Sequence, residues 1–81
     1  MRYALIKKVN EEMARGIEKW GATDDSPNIL LNAAVEELGE LAHAINHDEG
    51  IPVAQQEIAE TIGILARLYD MVEVYEKVPG K

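Results

Sequence analysis

No cysteine occurs anywhere in the 81 residues. Disulfides, thiolate zinc sites and cysteine nucleophiles are therefore excluded. Phenylalanine is also absent, so Trp20 and three tyrosines supply all the aromatic side chains. The core must come from Leu, Ile, Val, Ala and Met, a composition that suits helices better than sheets. Positive charge is scarce, with eight Lys and Arg against fifteen Asp and Glu and a net charge of −7. A surface of that sign repels nucleic-acid phosphates and anionic lipid, so neither duplex nucleic acid nor a membrane is an expected partner. A small anionic substrate is compatible with it, provided metal ions carry the positive charge. No apolar run approaches the roughly 20 residues of a membrane span. The start, Met1-Arg2-Tyr3-Ala4-Leu5-Ile6-Lys7-Lys8, reaches charge too soon for a signal peptide. A cytoplasmic protein is the expectation.

What is present is helical pattern. Apolar residues make up 47% of the chain, enough for a globular fold, and the length allows one domain over residues 1–81. So small a core is marginal alone, and association is a common remedy. Tyr3, Ile6, Val9, Met13, Ile17 and Trp20 recur three and four residues apart, which predicts a first amphipathic helix. Gly21 is its expected cap, and residues 22–25 a polar joint. Ser26-Pro27 reads as an N-cap followed by proline at the first helical position. A second helix is expected from about Pro27 to His47, ended by Asn46-His47-Asp48-Glu49-Gly50. Pro52 opens a third, running to about Lys77 until Pro79-Gly80 stops it and leaves a short tail, 78–81. No stretch alternates with period two, so the expected fold is all-α. Helices two and three should form an antiparallel pair that completes a four-helix-type bundle in an oligomer.

The arcs of these helices contain carboxylates. A helix turns roughly 100° per residue, which places each side chain around its axis. On the second helix Leu30, Ala34, Leu38, Leu41, Ala44 and Ile45 share one broad apolar arc. Glu37 falls inside it and Glu40 at its edge. On the third, Ala54, Ile58, Leu65, Leu68 and Val72 form the arc, with Glu57 inside and Glu60 at the edge. Residues 35–45 and 55–65 superpose at an offset of twenty, Glu37 and Glu40 falling on Glu57 and Glu60. A buried carboxylate is costly unless paired, protonated or metal-bound, and no Lys or Arg lies in either arc. Antiparallel packing would bring all four together. Hard oxygen ligands of this kind suit Mg²⁺ or Mn²⁺.

Glu36-Glu37-Leu38-Gly39-Glu40-Leu41-Ala42, followed by Glu57-Ile58-Ala59-Glu60, resembles the MazG-like all-α nucleoside triphosphate pyrophosphohydrolases. Lys19-Trp20-Gly21 resembles a tripeptide of their small, often phage-borne members. Glu60 stands where the family's pattern has Asp. The resemblance, spanning about residues 15–68, implies Mg²⁺-dependent attack of water on the α-phosphorus of a (deoxy)nucleoside triphosphate, giving monophosphate and pyrophosphate. It also implies metal and catalytic roles for Glu37, Glu40, Glu57 and Glu60, one of them taking the proton of water, and a homodimer or dimer of dimers.

Weaker signals carry competing readings. Trp20 continues the apolar stripe of the first helix, where packing is the ordinary role, and it is also a candidate for stacking on a base. Lys19 is a candidate phosphate contact or a solvated charge. Arg67, two turns beyond Glu60, is the best-placed cation for a phosphate, against the ordinary role of a surface ion pair. Glu40 and His43 form Glu-x-x-His, half of a di-iron carboxylate motif that a dimer could complete with Glu57. His47 follows on the polar face. A non-enzymatic acidic dimerisation module is the remaining alternative.

Overall fold

The computed structural model describes residues 1–20 and 26–74, with only the backbone described for Lys19, Trp20 and Val74. These residues form three α-helices and no strand: α1 Tyr3–Trp20, α2 Pro27–Asn46 and α3 Ile51–Val74. The all-α, three-helix expectation therefore stands. The expected Gly21 cap, the 22–25 joint, the end of α3 near Lys77 and the 78–81 tail lie outside the described residues.

Helix α3 is central. Both α1 and α2 pack on it, and their own backbones do not come together. Helix α2 runs antiparallel to α3 because only four residues join them. Helix α1 runs parallel to α3: Val9 and Glu12 meet Gly63, and Gly16, a turn further on, meets Arg67. Small residues set that close approach. Ala59 is fully buried, and a Cβ on Gly63 would stand 3.3 Å from Glu12 Cβ.

The α2 seam consists of Leu30, Ala34 and Ala44, all buried, with half-buried Glu37 and Leu41 between them. Leu38 and Ile45, expected in the same arc, are instead more than half exposed, and Leu65 and Val72 of α3 are exposed as well. The reason is geometric. One neighbouring helix covers a narrow strip, whereas these arcs are broad enough for two neighbours. Helix α1 shows the same economy, with Val9 buried, Met13 half-buried, and Tyr3, Ile6 and Ile17 exposed.

The hairpin turn sets the register of α2 on α3. Ser26 holds the N-cap position with extended backbone, and its carbonyl accepts from Ile29 N (3.0 Å) and Leu30 N (3.3 Å). Its hydroxyl makes no capping bond and donates instead to Asn28 Oδ1 at 2.6 Å. At the other end Glu49 N donates to Ala44 O (3.0 Å) and Asp48 N to Ile45 O (3.3 Å), a Schellman closure with Asp48 left-handed at φ 52°. Gly50, at φ 101°, then turns the chain so that its carbonyl accepts from Ala54 N at 3.1 Å. That conformation requires glycine. Helix α3 begins at Ile51, one residue before Pro52, whose missing N–H is harmless in a first turn.

Asp48 is strained by its positive φ and unfavourably charged at a helix C-terminus. Asp48→Gly should raise unfolding free energy by about 0.5–1 kcal/mol, whereas Gly50→Ala should lower it by about 1 kcal/mol or more. Urea titration of both variants checks the pair, and a loss of stability in Asp48→Gly would contradict the turn described.

Candidate metal centre

The α2–α3 packing brings the two predicted pairs together. Glu37, Glu40 and Glu57 each offer a carboxylate oxygen within 4.8 Å of the others, a spacing compatible with one divalent ion. Glu60 adjoins Glu37, so the four form a run in space: Glu40, Glu57, Glu37, Glu60. Glu37 and Glu57 face the seam because they occupy core positions of their helices. Glu60 stands on the side nearer α1, and Glu40 is exposed.

The electrostatics of this run are unfavourable when no ion is bound. Oε2 of Glu37 and Oε2 of Glu57 are buried with no hydrogen-bond partner. Burial, and then contact with Glu60 and Glu57, pushes the Glu37 carboxyl from an ordinary 4.5 up to about 8. Glu57 is also raised, first by burial, although a hydrogen bond from Glu37 works in the opposite direction. The arrangement is that of a proton held by Glu37 and shared toward its neighbours. A cation would supply what the two orphaned oxygens lack, and the donor set is all hard oxygen. The residues fit Mg²⁺ or Mn²⁺.

Three residues of this neighbourhood were missed from sequence. Gln56 Nε2 donates to Glu60 Oε1 and to Glu12 Oε2, both at 2.9 Å. Arg15 pairs with Glu12 one turn away, and its guanidinium lies 3.9 Å from Glu60 Oε1. Burial alone would raise Glu12, yet the Arg15 and Gln56 hydrogen bonds and the Arg15 and Lys8 charges leave it below its ordinary value. Helix α1 thus steadies Glu60 from outside the pair that carries the metal motif. Gly16 was the available signal, because a mid-helix glycine marks a close approach.

Arg67 is buried at 8% exposure, where a surface position was the ordinary expectation. Its guanidinium crosses Gly16, where a Cβ would stand 2.7 Å from Nη1. Glu37, Glu60, Glu12, Arg15 and Arg67 line a cavity of about 250 Å³ floored by Gly16 and Gly63. Carboxylates and guanidiniums thus line the same cavity.

No protein-family model, curated protein or solved structure matches the chain. The site is therefore read from its own geometry. His43 lies away from the cluster, with Nε2 3.3 Å from Glu49 Oε2 and its ring 4.1 Å from that of His47. It does not join Glu40 in the ligand set within one chain. Lys19 and Trp20 end α1, and their side chains lie outside the described residues.

A carboxyl raised on folding binds a proton that the unfolded chain has released. Its stabilising contribution is complete below the ordinary value of 4.5 and is lost as pH rises through about 8. In chelator, the melting temperature should therefore fall steadily across that window. Glu37→Gln should flatten the fall and raise the melting temperature at its alkaline end. Mg²⁺ or Mn²⁺ should oppose it, since metal binding needs the carboxylates ionised. The lowered Glu12 acts only at more acid pH and does not overlap. A flat wild-type profile in chelator would contradict a buried, protonated Glu37.

Proposed function

We propose that the chain hydrolyses a (deoxy)nucleoside triphosphate to the monophosphate and pyrophosphate, with Glu37, Glu40, Glu57 and Glu60 holding Mg²⁺. The observation that carries this reading is the convergence of three carboxylates, Glu37, Glu40 and Glu57, from two facing helices, two of them with orphaned buried oxygens, with Glu60 beside Glu37. The resemblance of residues 36–42 and 57–60 to the MazG-like pyrophosphohydrolases supplies the reaction class. Bound metal would neutralise phosphate charge and lower the pKa of a coordinated water.

The chain's own residues account for the rest. The cavity beside Glu37 and Glu60 is below the usual size of a pocket for a whole ligand, and it suits the phosphates better than the nucleoside. Arg67 and Arg15 line it and would meet phosphate oxygens. Arg67 is held there by burial against Gly16, so little side-chain freedom is lost on binding. Glu60 accepts from Gln56 and faces Arg15, an orientation that leaves Glu37 as the carboxylate between it and Glu57. A carboxylate of this run takes the proton of the attacking water. The di-iron alternative requires His43 to turn toward Glu40, and its contact with Glu49 does not favour that.

Pyrophosphate release from a panel of nucleoside triphosphates with Mg²⁺ tests the reading. Glu37→Gln and Glu57→Gln should abolish turnover, and intact release in both would remove the site assignment. Glu60→Asp should keep a measurable share of activity, better with Mn²⁺ than with Mg²⁺, while Glu60→Gln should lose most of it. An exposed structural glutamate would show the reverse order, because Asp is the poorer helix former. Gly16→Ala should displace the Arg67 guanidinium while keeping the fold. It should lower kcat/KM by about tenfold, the equivalent of about 1.4 kcal/mol of transition-state stabilisation. The metal-induced rise in melting temperature should survive in that variant. An unchanged kcat/KM would take Arg67 out of substrate binding.

A further inference from the structure

The turn that joins α2 to α3 gathers side chains that the carboxylate centre does not use. His43 stands in the last turn of α2 and His47 at its C-cap, four residues on. His47 N donates to His43 O at 3.0 Å, so the helix itself fixes the spacing of the pair. Beyond His47 the Schellman closure folds the chain back over that last turn, Glu49 N donating to Ala44 O at 3.0 Å. The fold-back brings the Glu49 carboxylate to His43, with Oε2 3.3 Å from Nε2. The two imidazole rings lie 4.1 Å apart between centroids, tilted by 34°. All three side chains are exposed, so an ion has open access and the rings can turn without disturbing the core.

We propose that His43, His47 and Glu49 form a second divalent-metal site, one that takes a borderline transition ion such as Zn²⁺ in preference to Mg²⁺ and clamps the α2–α3 turn. Two histidines four residues apart present their rings on one face of a helix, the spacing from which helical zinc sites are built. A pair of surface histidines alone lacks a third donor, and here the turn supplies one. The His43–Glu49 separation also fits. Two ligands of a tetrahedral Zn²⁺ ion, each at about 2.0–2.1 Å, stand roughly 3.3 Å from one another. A charge-assisted hydrogen bond between the same groups would be shorter, at about 2.7–2.9 Å. The local field favours a cation as well, because the carbonyl end of α2 is the negative pole of its dipole and Asp48 adjoins it. Imidazole nitrogen suits Zn²⁺, Ni²⁺ and Cu²⁺, whereas Mg²⁺ prefers oxygen and gives up its water reluctantly. The two sites would therefore sort ions by donor type. A bound ion would tie Glu49, beyond the end of α2, to the last turn of that helix, and so hold the register that sets Glu37 against Glu57. This inference does not rest on the pyrophosphohydrolase reading.

The chain has two histidines, so its imidazole NMR signals report on this site alone. Zn²⁺ titrated into the full chain at neutral pH, in excess Mg²⁺ to occupy the carboxylate centre, should shift both imidazoles together along one binding curve. His47→Gln should weaken Zn²⁺ binding roughly 100-fold, read from the remaining His43 signal, because the second imidazole binds at a high effective concentration. Glu49→Gln should give a smaller loss, read from both signals. Imidazoles that do not respond, or that titrate one without the other, overturn the proposal. So does wild-type affinity in either His47→Gln or Glu49→Gln. Glu57→Gln, which disables the carboxylate centre, should leave the histidine titration unchanged. A loss there would assign the Zn²⁺ to the carboxylates and overturn the second site. The Mg²⁺ melting shift, read in parallel, reports on the carboxylate centre, so failure of either idea is distinguishable from failure of the other.

Discussion

Two glutamates occupy helix positions that face a neighbouring helix, and most of the structure can be understood from what that burial requires. A carboxylate removed from water needs a proton, a cation or hydrogen-bond donors. Glu37 and Glu57 have few donors, since the α2–α3 seam otherwise consists of Ala, Leu, Ile, Thr and Met side chains. Their buried oxygens are left unpartnered and Glu37 is driven upward to about 8. The fold thus carries a local disadvantage that a proton or a divalent ion would remove. Leucine at either position would give the more stable seam.

The backbone devices around the seam serve its register. A slip of one residue in the turn would rotate Glu37 away from Glu57 and bring Leu38 inward. The left-handed Asp48 and the positive φ of Gly50 oppose such a slip, since they fix where α2 stops and α3 starts. Helix α1 contributes from the other side. Its Glu12, bridged to Glu60 through Gln56, and its Arg15 orient Glu60, and its Gly16 lies against the Arg67 guanidinium at the cavity. One helix therefore carries three jobs on three strips: carboxylates toward α2, cation and small residues toward α1, and an apolar surface toward solvent.

The local pattern of the sequence determined a good deal. Periods of three and four residues, proline at the start of α2 and the Asn-His-Asp-Glu-Gly cluster located the end of α1, both ends of α2 and the start of α3 within a residue or so. The position of Glu37 and Glu57 inside apolar arcs was legible for the same reason, because a residue's angle around a helix depends only on its number. Which part of a broad arc is covered was not legible. Leu38 and Ile45 share an arc with Leu30 and Ala34, and only the placement of α3 separates the buried pair from the exposed pair. Contacts between helices were equally hidden. Glu12 and Glu60 lie 48 residues apart in sequence and are joined by one Gln56 amide, and the buried Arg67 lies across a glycine of α1. Periodicity is a one-helix property and survives without a neighbour. Desolvation, the raised Glu37 and the pairing of cations with carboxylates are properties of the space between helices, and the tertiary structure alone decides them.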